Sequence, residues 1–340
     1  MAAYDVEYIE IYSSDQQKTS EYFVSMFGFQ EQAKGVKAGL NSVLLAQGQL
    51  RLVVSSGPAA DTFLHAHGDG IRDIAFSCED AAAVRDTAVA AGAITLPGAT
   101  APVVSGFGNV QHTLVQRVAG AERLLPEGWA WTESEPVPVA EGTPELRLLD
   151  HIAVCLEAGR LHETVRFYID GFGFEQYYSE YVAVGEQAMD SIVVRSPSTG
   201  ITFTIIEPDP AKQAGQIDEF LARNGGGGVQ HLAFLVDEII PAVLEFESRG
   251  VEFLQTPDTY YDALVERISG LDEAIADLRK TNVLADCDEW GYLLQLFTRS
   301  PFERRTLFFE LIQRQGAQGF GSSNIRALYE AVERARETAS

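Results

Sequence analysis

The chain has 340 residues, 46% of them hydrophobic and 22% charged, which is typical of soluble globular proteins with room for two domains. Its formal net charge of −24 argues against nucleic-acid and anionic-membrane partners. The start, MAAYDVEYIEIYSS, has neither a basic segment nor an apolar run, and no stretch approaches the roughly 18 apolar residues of a membrane span. The three cysteines favour a reducing compartment. We therefore expect a cytoplasmic protein; its oligomeric state, including a homo-oligomer, stays open.

Alternating apolar residues and glycine-terminated periodic segments organise the first part of the chain. The elements predicted there are a strand at 6–12, a helix at 15–26, strands at 42–45 and 49–55, a strand at 70–76 and a helix at 81–91. The proline- and glutamate-rich stretch that follows has a linker composition. These features predict a first domain at 1–120 and a linker at 121–146.

The same series of elements returns in the rest of the chain, residues 147–340. It predicts a strand at 149–156, a helix at 161–169, strands at 191–195 and 201–206, a strand over 228–234 and a helix at 238–249. A glycine-rich turn at 316–321 then precedes a tail, 324–337, with the apolar spacing of a helix.

The two halves repeat one another at two places. GIRDIAF at 70–76 reappears as GVQHLAF at 228–234, so that His231 stands where the first copy has Asp73. VEYIEI at 6–11 matches LDHIAV at 149–154, so that His151 stands where the first copy has Tyr8. The chain is therefore a duplicated module in which only the second copy carries histidines at these strand positions.

Taken singly, the other four histidines favour a structural or solvated role: His65 and His67 in a polar, loop-like stretch, His112 beside a weak strand, and His162 opening a helix. A lone histidine in a strand is also commonly a satisfied core residue. The matched placement of His151 and His231 instead favours a pair of metal ligands. Glu310 is the only charge in the apolar run TLFFELI, and a buried carboxylate needs a cation unless the strand is an edge facing water. Two histidines and a carboxylate on one face are typical of non-haem iron(II), with positions left for substrate and oxygen.

With these segments, and with GFGSSN at 319–324, the chain resembles the vicinal-oxygen-chelate dioxygenases of the 4-hydroxyphenylpyruvate dioxygenase family, over essentially its whole length. The resemblance implies an α+β fold of two modules built of βαβββ repeats, each an open half-barrel sheet. It implies Fe²⁺ held by His151, His231 and Glu310 in the second module, a first module without metal, and a C-terminal lid helix at 324–337.

The resemblance further implies a set of residues around an arylpyruvate substrate. They are Ser191, Thr204, Ile206, Gln230, Gln295, Phe297, Phe308, Phe320, Asn324, Ile325 and Tyr329. Each also has a plainer interpretation: strand aromatics such as Phe297 and Phe308 are commonly core, and Ile325 suits the apolar face of a surface helix.

Two departures concern the product. Homogentisate-forming members usually have Asn-Glu-Pro on the fourth strand of the second module, with a proline two residues before the Asn, and open the C-terminal helix with Gly-Asn-Phe. Here Thr204 replaces that proline, Ile206 replaces the asparagine, and Ile325 replaces the phenylalanine. These changes resemble the branch of the family that hydroxylates the benzylic carbon. That branch forms 4-hydroxymandelate and CO2 from 4-hydroxyphenylpyruvate and O2, and the substrate itself supplies the α-keto acid.

Three alternatives stay open. The enzyme forms homogentisate with a tolerant ring pocket; the chain is a metal-free binding or resistance protein on the same scaffold; or it is another metal lyase or isomerase of the superfamily. The presence of all three ligand residues speaks against the second, and GFGSSNI against the third.

Overall fold

The first module is a curled mixed sheet with helices on one face. The computed structural model describes residues 2–97, 100–118, 120–135, 142–268, 274–321 and 323–326. The module contains β1 (Ala3–Tyr12), α1 (Gln16–Tyr22, continued by a π turn over Phe23–Phe27), β2 (Gln30–Lys37), β3 (Leu40–Gln47), β4 (Leu50–Ser56), α2 (Asp61–His67), β5 (Gly70–Cys78), α3 (Ala81–Ala90), β6 (Thr95–Leu96), β7 (Val103–Ser105), β8 (Gln111–Gln116) and β9 (Ala130–Glu133). Its strands are ordered β6-β7-β8-β5-β1-β4-β3-β2-β9.

The second module repeats this topology. It contains β10 (Leu148–Cys155), α4 (Leu161–Phe172), β11 (Glu175–Val184), β12 (Gln187–Arg195), β13 (Thr202–Pro208), α5 (Gln216–Asn224), β14 (Gly228–Leu235), α6 (Ile239–Ser248), α7 (Asp258–Arg267), α8 (Ile275–Lys280), β15 (Leu284–Cys287), β16 (Tyr292–Phe297) and β17 (Phe308–Gln315). The order β11-β12-β13-β10-β14-β17-β16-β15 matches the first sheet strand for strand, apart from β9. The predicted fold of two open half-barrel modules built of βαβββ repeats is confirmed.

Strand alternation divides each sheet into two chemically different faces. On β10, Ile152 and Val154 enter a large apolar core that both modules share, whereas His151 points to the opposite face. On β5, Ile74 and Phe76 enter the same core, and Asp73 takes the other face. The apolar residues of each strand therefore pack between the modules, and the residues on the opposite face are available for binding or catalysis.

The modules pack by exchanging aromatic contacts through the helices between the sheets. Phe27 at the end of α1 packs against Phe309 and Phe234 of the second sheet, with ring centroids 6.0 and 6.3 Å apart. In return, Tyr168 of α4 meets His112 of the first sheet, whose Nε2 lies 2.7 Å from the tyrosine hydroxyl oxygen. This core, built from both halves, fixes the two concave faces relative to each other.

The concave face of the first sheet is filled from within. Trp129 lies over Tyr8 at a centroid distance of 5.9 Å, and Trp131 stacks on Trp129 at 5.3 Å. Trp131 approaches β2 so closely that a Cβ on Gly35 would lie 2.4 Å from its ring. Both tryptophans belong to the stretch 121–146, whose composition predicts a linker; β9 within this stretch instead pairs with β2 and completes the first sheet.

Several elements differ from the sequence-based expectation. The polar strands β2 and β11 add to the predicted elements, because neither sequence has a clear apolar alternation. Of the two, only β11 is an edge strand, since β2 lies between β3 and β9. His65 and His67 lie on helix α2, not in a loop. Helical structure is described over 323–326, and the remainder of the predicted lid helix 324–337 lies outside the described residues. Within the described residues, none of the helices has the length and hydrophobicity of a membrane span.

Candidate metal centre and cavity

Three adjacent strands place the predicted ligands on the concave face of the second sheet. His151 on β10 pairs with Ala233 on β14, and Ala233 pairs in turn with Glu310 on β17, so the three residues form one row. His231 lies two residues along β14, on the same face. The small side chain of Ala233 leaves the space between the larger groups open.

The three side chains converge closely enough to share one ion. Their ligand atoms all lie within 4.8 Å of one another. Glu310 Oε2 is 3.4 Å from His151 Nε2 and 3.2 Å from His231 Nε2. Glu310 is 2% exposed, so its charge needs compensation from these neighbours or from a cation. The edge-strand alternative for Glu310 is wrong, since β17 lies between β14 and β16.

His151 is oriented from behind by an ion pair. Its Nδ1 donates to Asp150 Oδ2 at 2.9 Å, which leaves Nε2 directed at Glu310. Asp150 in turn accepts two hydrogen bonds of 2.7 Å from the guanidinium of Arg314. Burial disfavours the ionised form of Asp150, but the bonds from Arg314 and His151 outweigh it and hold the pKa of this carboxyl well below its usual range. Sequence reasoning missed both Asp150 and Arg314.

The two imidazoles differ electrostatically. Burial disfavours the charged form of each, and for His151 the charges of Glu310 and Asp150 reverse the effect and raise its pKa to about 9. For His231 burial prevails over Glu310, so its pKa is lowered. The Nδ1 of His231 has a single weaker contact, 3.2 Å from Gln230 Oε1, and its ring stacks on Phe308 at 4.9 Å. Burial also opposes the ionised form of Glu310, but His151 lowers the pKa of the carboxyl.

The donor set fits a first-row metal. Two imidazole nitrogens and one carboxylate, converging from neighbouring strands, form the facial arrangement typical of non-haem iron(II), in which the remaining coordination positions face away from the ligands. His151, His231 and Glu310 all line a cavity of about 640 Å³. The cavity size suits a small organic molecule.

The cavity wall brings together nearly all of the residues that the resemblance implied. It includes Ser191, Thr204, Ile206, Gln230, Gln295, Phe297, Phe308, Phe320, Asn324 and Ile325. Tyr329 lies outside the described residues. The wall also contains residues that sequence reasoning did not name, among them Tyr178, Val182 and Met189. Tyr178 and Val182 lie on the edge strand β11, and Met189 lies on the neighbouring strand β12.

Two buried amide groups face the cavity with unused hydrogen-bonding capacity. Asn324 Oδ1 accepts a 2.7 Å hydrogen bond from the hydroxyl of Tyr260, but Asn324 Nδ2 has no partner among the described residues, and neither has Gln295 Oε1. Gly321 lies against Gln295 with φ +76, and a Cβ there would stand 1.8 Å from Gln295 Oε1. This positive φ favours glycine at the point where the chain leads towards the helical residues 323–326.

The first module holds different groups at the corresponding positions. Tyr8 pairs with Ala75 as His151 pairs with Ala233, and Asp73 lies in the frame of His231, as the sequence repeat predicts. The register of β5 and β8 places Thr113 opposite Ala75, in the frame of Glu310. These groups satisfy each other: Thr113 Oγ1 donates to Asp73 Oδ2 at 2.5 Å. The neighbouring His112 points to the core, with Nδ1 2.9 Å from Ile74 O.

Comparison with known proteins agrees with this architecture. A family model described as the N-terminal region of hydroxyphenylpyruvate dioxygenase matches residues 1–126. A model described as the Glyoxalase/Bleomycin resistance protein/Dioxygenase superfamily matches residues 148–295. The two matches fall on the two modules.

Individual relatives match along nearly the whole chain. A 4-hydroxyphenylpyruvate dioxygenase from Yarrowia lipolytica is 31% identical, covering 96% of this chain and 91% of its own. One from Dictyostelium discoideum is 32% identical, covering 94% and 95% respectively. The solved structure of a triple mutant of 4-hydroxymandelate synthase from Streptomyces coelicolor is 47% identical, with a TM-score of 0.87 and coverage of 99% and 100%.

Proposed function

Because the chain belongs to the 4-hydroxyphenylpyruvate dioxygenase family of iron-dependent dioxygenases, we propose that it converts 4-hydroxyphenylpyruvate and O2 to 4-hydroxymandelate and CO2. The carboxyl carbon leaves as CO2, the former keto carbon becomes the new carboxylate, and the benzylic carbon gains a hydroxyl. One observation carries the choice of product: Ile206 and Ile325 both lie in the cavity wall and pack against one apolar cluster.

His151, His231 and Glu310 would hold Fe²⁺ through the two Nε2 atoms and the carboxylate. When bound, the iron would supply a Lewis acid for the α-keto acid and a site at which O2 is activated. The protein's part is to hold three ligands rigidly, and the Asp150–Arg314 pair behind His151 serves this purpose. Fe²⁺ remains our proposal for the ion.

The cavity dimensions support an arylpyruvate as substrate. Phe297 on β16 pairs with Glu310 on β17, and Gln295 lies two residues along β16 on the same face. Two residues of a strand span about 7 Å, comparable to the distance between the α-keto acid and the hydroxyl of 4-hydroxyphenylpyruvate. We propose that the unpartnered Gln295 Oε1 and Asn324 Nδ2 bind the ring hydroxyl when the keto acid lies at the metal ligands.

The aromatic side chains would sandwich the substrate ring and exclude water. Phe308 and Phe297 lie beside His231, with centroid distances of 4.9 and 5.8 Å, and Phe320 lies 5.1 Å from the ring of His151. A ring confined between these groups has little rotational freedom. Which carbon meets the oxidant then depends on small displacements of the ring.

Product choice follows from the part of the wall formed by Ile206 and Ile325. Neither side chain can donate or accept a hydrogen bond, and neither offers the flat surface of a phenyl group. We propose that the ring consequently lies with its benzylic carbon, and not a ring carbon, nearest the oxidant. The 47% identity to a mutant of 4-hydroxymandelate synthase supports this choice, whereas the relatives of 31% and 32% identity are named 4-hydroxyphenylpyruvate dioxygenases.

The decisive experiment loads the protein with Fe²⁺ anaerobically, adds 4-hydroxyphenylpyruvate and O2, and separates the products by chromatography. We expect 4-hydroxymandelate as the main product, with one CO2 released per O2 consumed. The His231→Ala protein, treated identically, is the control for adventitious iron chemistry.

Each other outcome has a distinct meaning. Homogentisate as the main product would overturn the proposed reaction but leave the metal centre intact. A folded protein that binds 4-hydroxyphenylpyruvate without retaining iron would favour a binding protein on the same scaffold.

A further inference from the structure

Arg314 connects two parts of the site that are separate in sequence. Its Nε and Nη2 donate to the two carboxylate oxygens of Asp150, each at 2.7 Å. Its remaining nitrogen, Nη1, donates to Ala317 O at 3.1 Å and to Gly319 O at 2.7 Å. One planar guanidinium therefore holds both the carboxylate behind His151 and the turn that leads into the C-terminal segment.

Phe320 contacts both Arg314 and His151. Its side chain lies over the guanidinium, with Arg314 Cζ 5.1 Å from the ring centroid. The same phenyl ring meets the imidazole of His151 edge-on, at 5.1 Å and 89°. Displacing the turn at 317–320 would consequently disturb His151 by two routes: directly through Phe320, and indirectly through Arg314 and Asp150.

We propose that Arg314 is a positioning residue that makes the orientation of His151 and the position of residues 317–320 depend on each other. The inference rests on the proposed metal centre. Binding an ion at His151 would fix the imidazole, its Nδ1 partner Asp150 and hence the guanidinium, so that the turn is held more firmly. By thermodynamic reciprocity, a firmly held turn would strengthen ion binding to the same degree.

Asp288 offers a matched control, because it binds backbone amides of the same turn whose carbonyls Arg314 binds. Its Oδ2 accepts hydrogen bonds from Gln318 N at 2.6 Å and Gly319 N at 2.8 Å. Asp288 lies in the turn between β15 and β16, and within the described part of the chain it forms no hydrogen bond to His151 or Asp150. Its loss should loosen the turn without breaking the connection to the metal ligand.

The test compares the unmodified chain with Arg314→Lys and Asp288→Asn by hydrogen exchange and by anaerobic Fe²⁺ titration. Lysine keeps the positive charge but cannot form the two-pronged bond to Asp150 while also reaching the turn. In the unmodified chain we expect Fe²⁺ to slow amide exchange at 318–320. In Arg314→Lys this slowing should disappear, and Fe²⁺ affinity should fall about 10- to 100-fold, as for other groups that orient a ligand histidine.

In Asp288→Asn exchange at 318–320 should be faster than in the unmodified chain, yet still respond to Fe²⁺. Retention of both Fe²⁺ affinity and the Fe²⁺-dependent slowing in Arg314→Lys would overturn the inference while leaving the proposed function standing. An unmodified chain that bound no Fe²⁺ would overturn both. If Arg314→Lys only destabilised the protein, amide exchange at 318–320 would change in both variants and would still respond to Fe²⁺ in both. That result would also contradict the proposed connection.

Discussion

The two modules build their concave faces from the same strands in the same order but use them oppositely. In the second module, His151, His231 and Glu310 line a cavity of about 640 Å³. In the first, Tyr8 and Asp73 occupy the equivalent frames, and Trp129 covers Tyr8. The concave face of the second module forms the candidate metal site, and that of the first module forms an additional core.

The comparison shows how a duplicated sheet can diverge without losing its fold. Because successive strand residues point to opposite faces, the residues that join the modules and the residues that carry chemistry are separate sets. Ile74 and Leu232 both enter the shared core, while their neighbours Asp73 and His231 differ. Substitution on one face therefore leaves the packing of the other unchanged.

The largest expected effect comes from removing a metal ligand in the second module while leaving the equivalent position of the first. His231→Ala should abolish iron retention and turnover, because the remaining two ligands no longer enclose the ion. Asp73→Asn, the substitution at the equivalent position of the first module, should still retain one iron per chain. Metal analysis after removal of loosely bound ions measures both. Full turnover in His231→Ala, or two irons per chain in the unmodified protein, would contradict the assignment.

The next effect concerns the aromatic filling of the first module. Trp129 is buried, packs on Tyr8 and donates through Nε1 to Ser42 Oγ at 2.9 Å. Trp129→Ala should lower the free energy of unfolding by about 3–5 kcal/mol, measured by denaturant titration, while the folded protein still binds iron. An unchanged stability would show that the tryptophan covers the sheet without supporting it.

A smaller, pH-dependent effect is expected at Glu10, two residues from Tyr8 on β1. Burial raises the pKa of Glu10 to about 7 despite its 2.6 Å hydrogen bond from Ser55. The folded state thus keeps this proton while the unfolded chain, with a carboxyl pKa of 4.5, releases it. Stability contributed by the neutral group is present below pH 4.5 and is lost as the pH rises to 7.

Glu10→Gln should accordingly stabilise the protein by about 3 kcal/mol at pH 8 and by less than about 1 kcal/mol at pH 5. Thermal or denaturant unfolding at the two pH values measures the difference. Glu79→Gln, at an exposed position, is the control. Equal effects of Glu10→Gln at pH 5 and pH 8 would show that the carboxyl does not titrate in this range.

The smallest expected change in free energy is at Ile325 and Ile206, where it should alter the identity of the product. Ile325→Phe, alone or with Ile206→Asn, should move part of the turnover from 4-hydroxymandelate towards ring-oxidised products. A tenfold change in the partition ratio requires only about 1.4 kcal/mol. Ile325→Leu, which keeps volume without adding a flat ring, should leave the ratio unchanged. Identical product ratios in the Phe and Leu variants would show that this wall does not choose the product.

The sequence by itself determined the duplication, the strand frames and the three residues that we propose as metal ligands. These follow from period-two alternation, in which a polar residue inside an apolar strand stands out, as His151, His231 and Glu310 do. The repeat also located Tyr8 and Asp73 as counterparts. Thr113 was located only in the structure, although TLVQR at 113–117 repeats ELIQR at 310–314 and so aligns it with Glu310.

Only the tertiary structure decided what fills each concave face. Trp129 lies in a proline-rich stretch with the composition of a linker, and its place over Tyr8 depends on contacts between residues more than a hundred positions apart. The bond between Arg314 and Asp150 likewise joins residues 164 positions apart. Local periodicity shows which face a side chain takes, but not which distant group will meet it there.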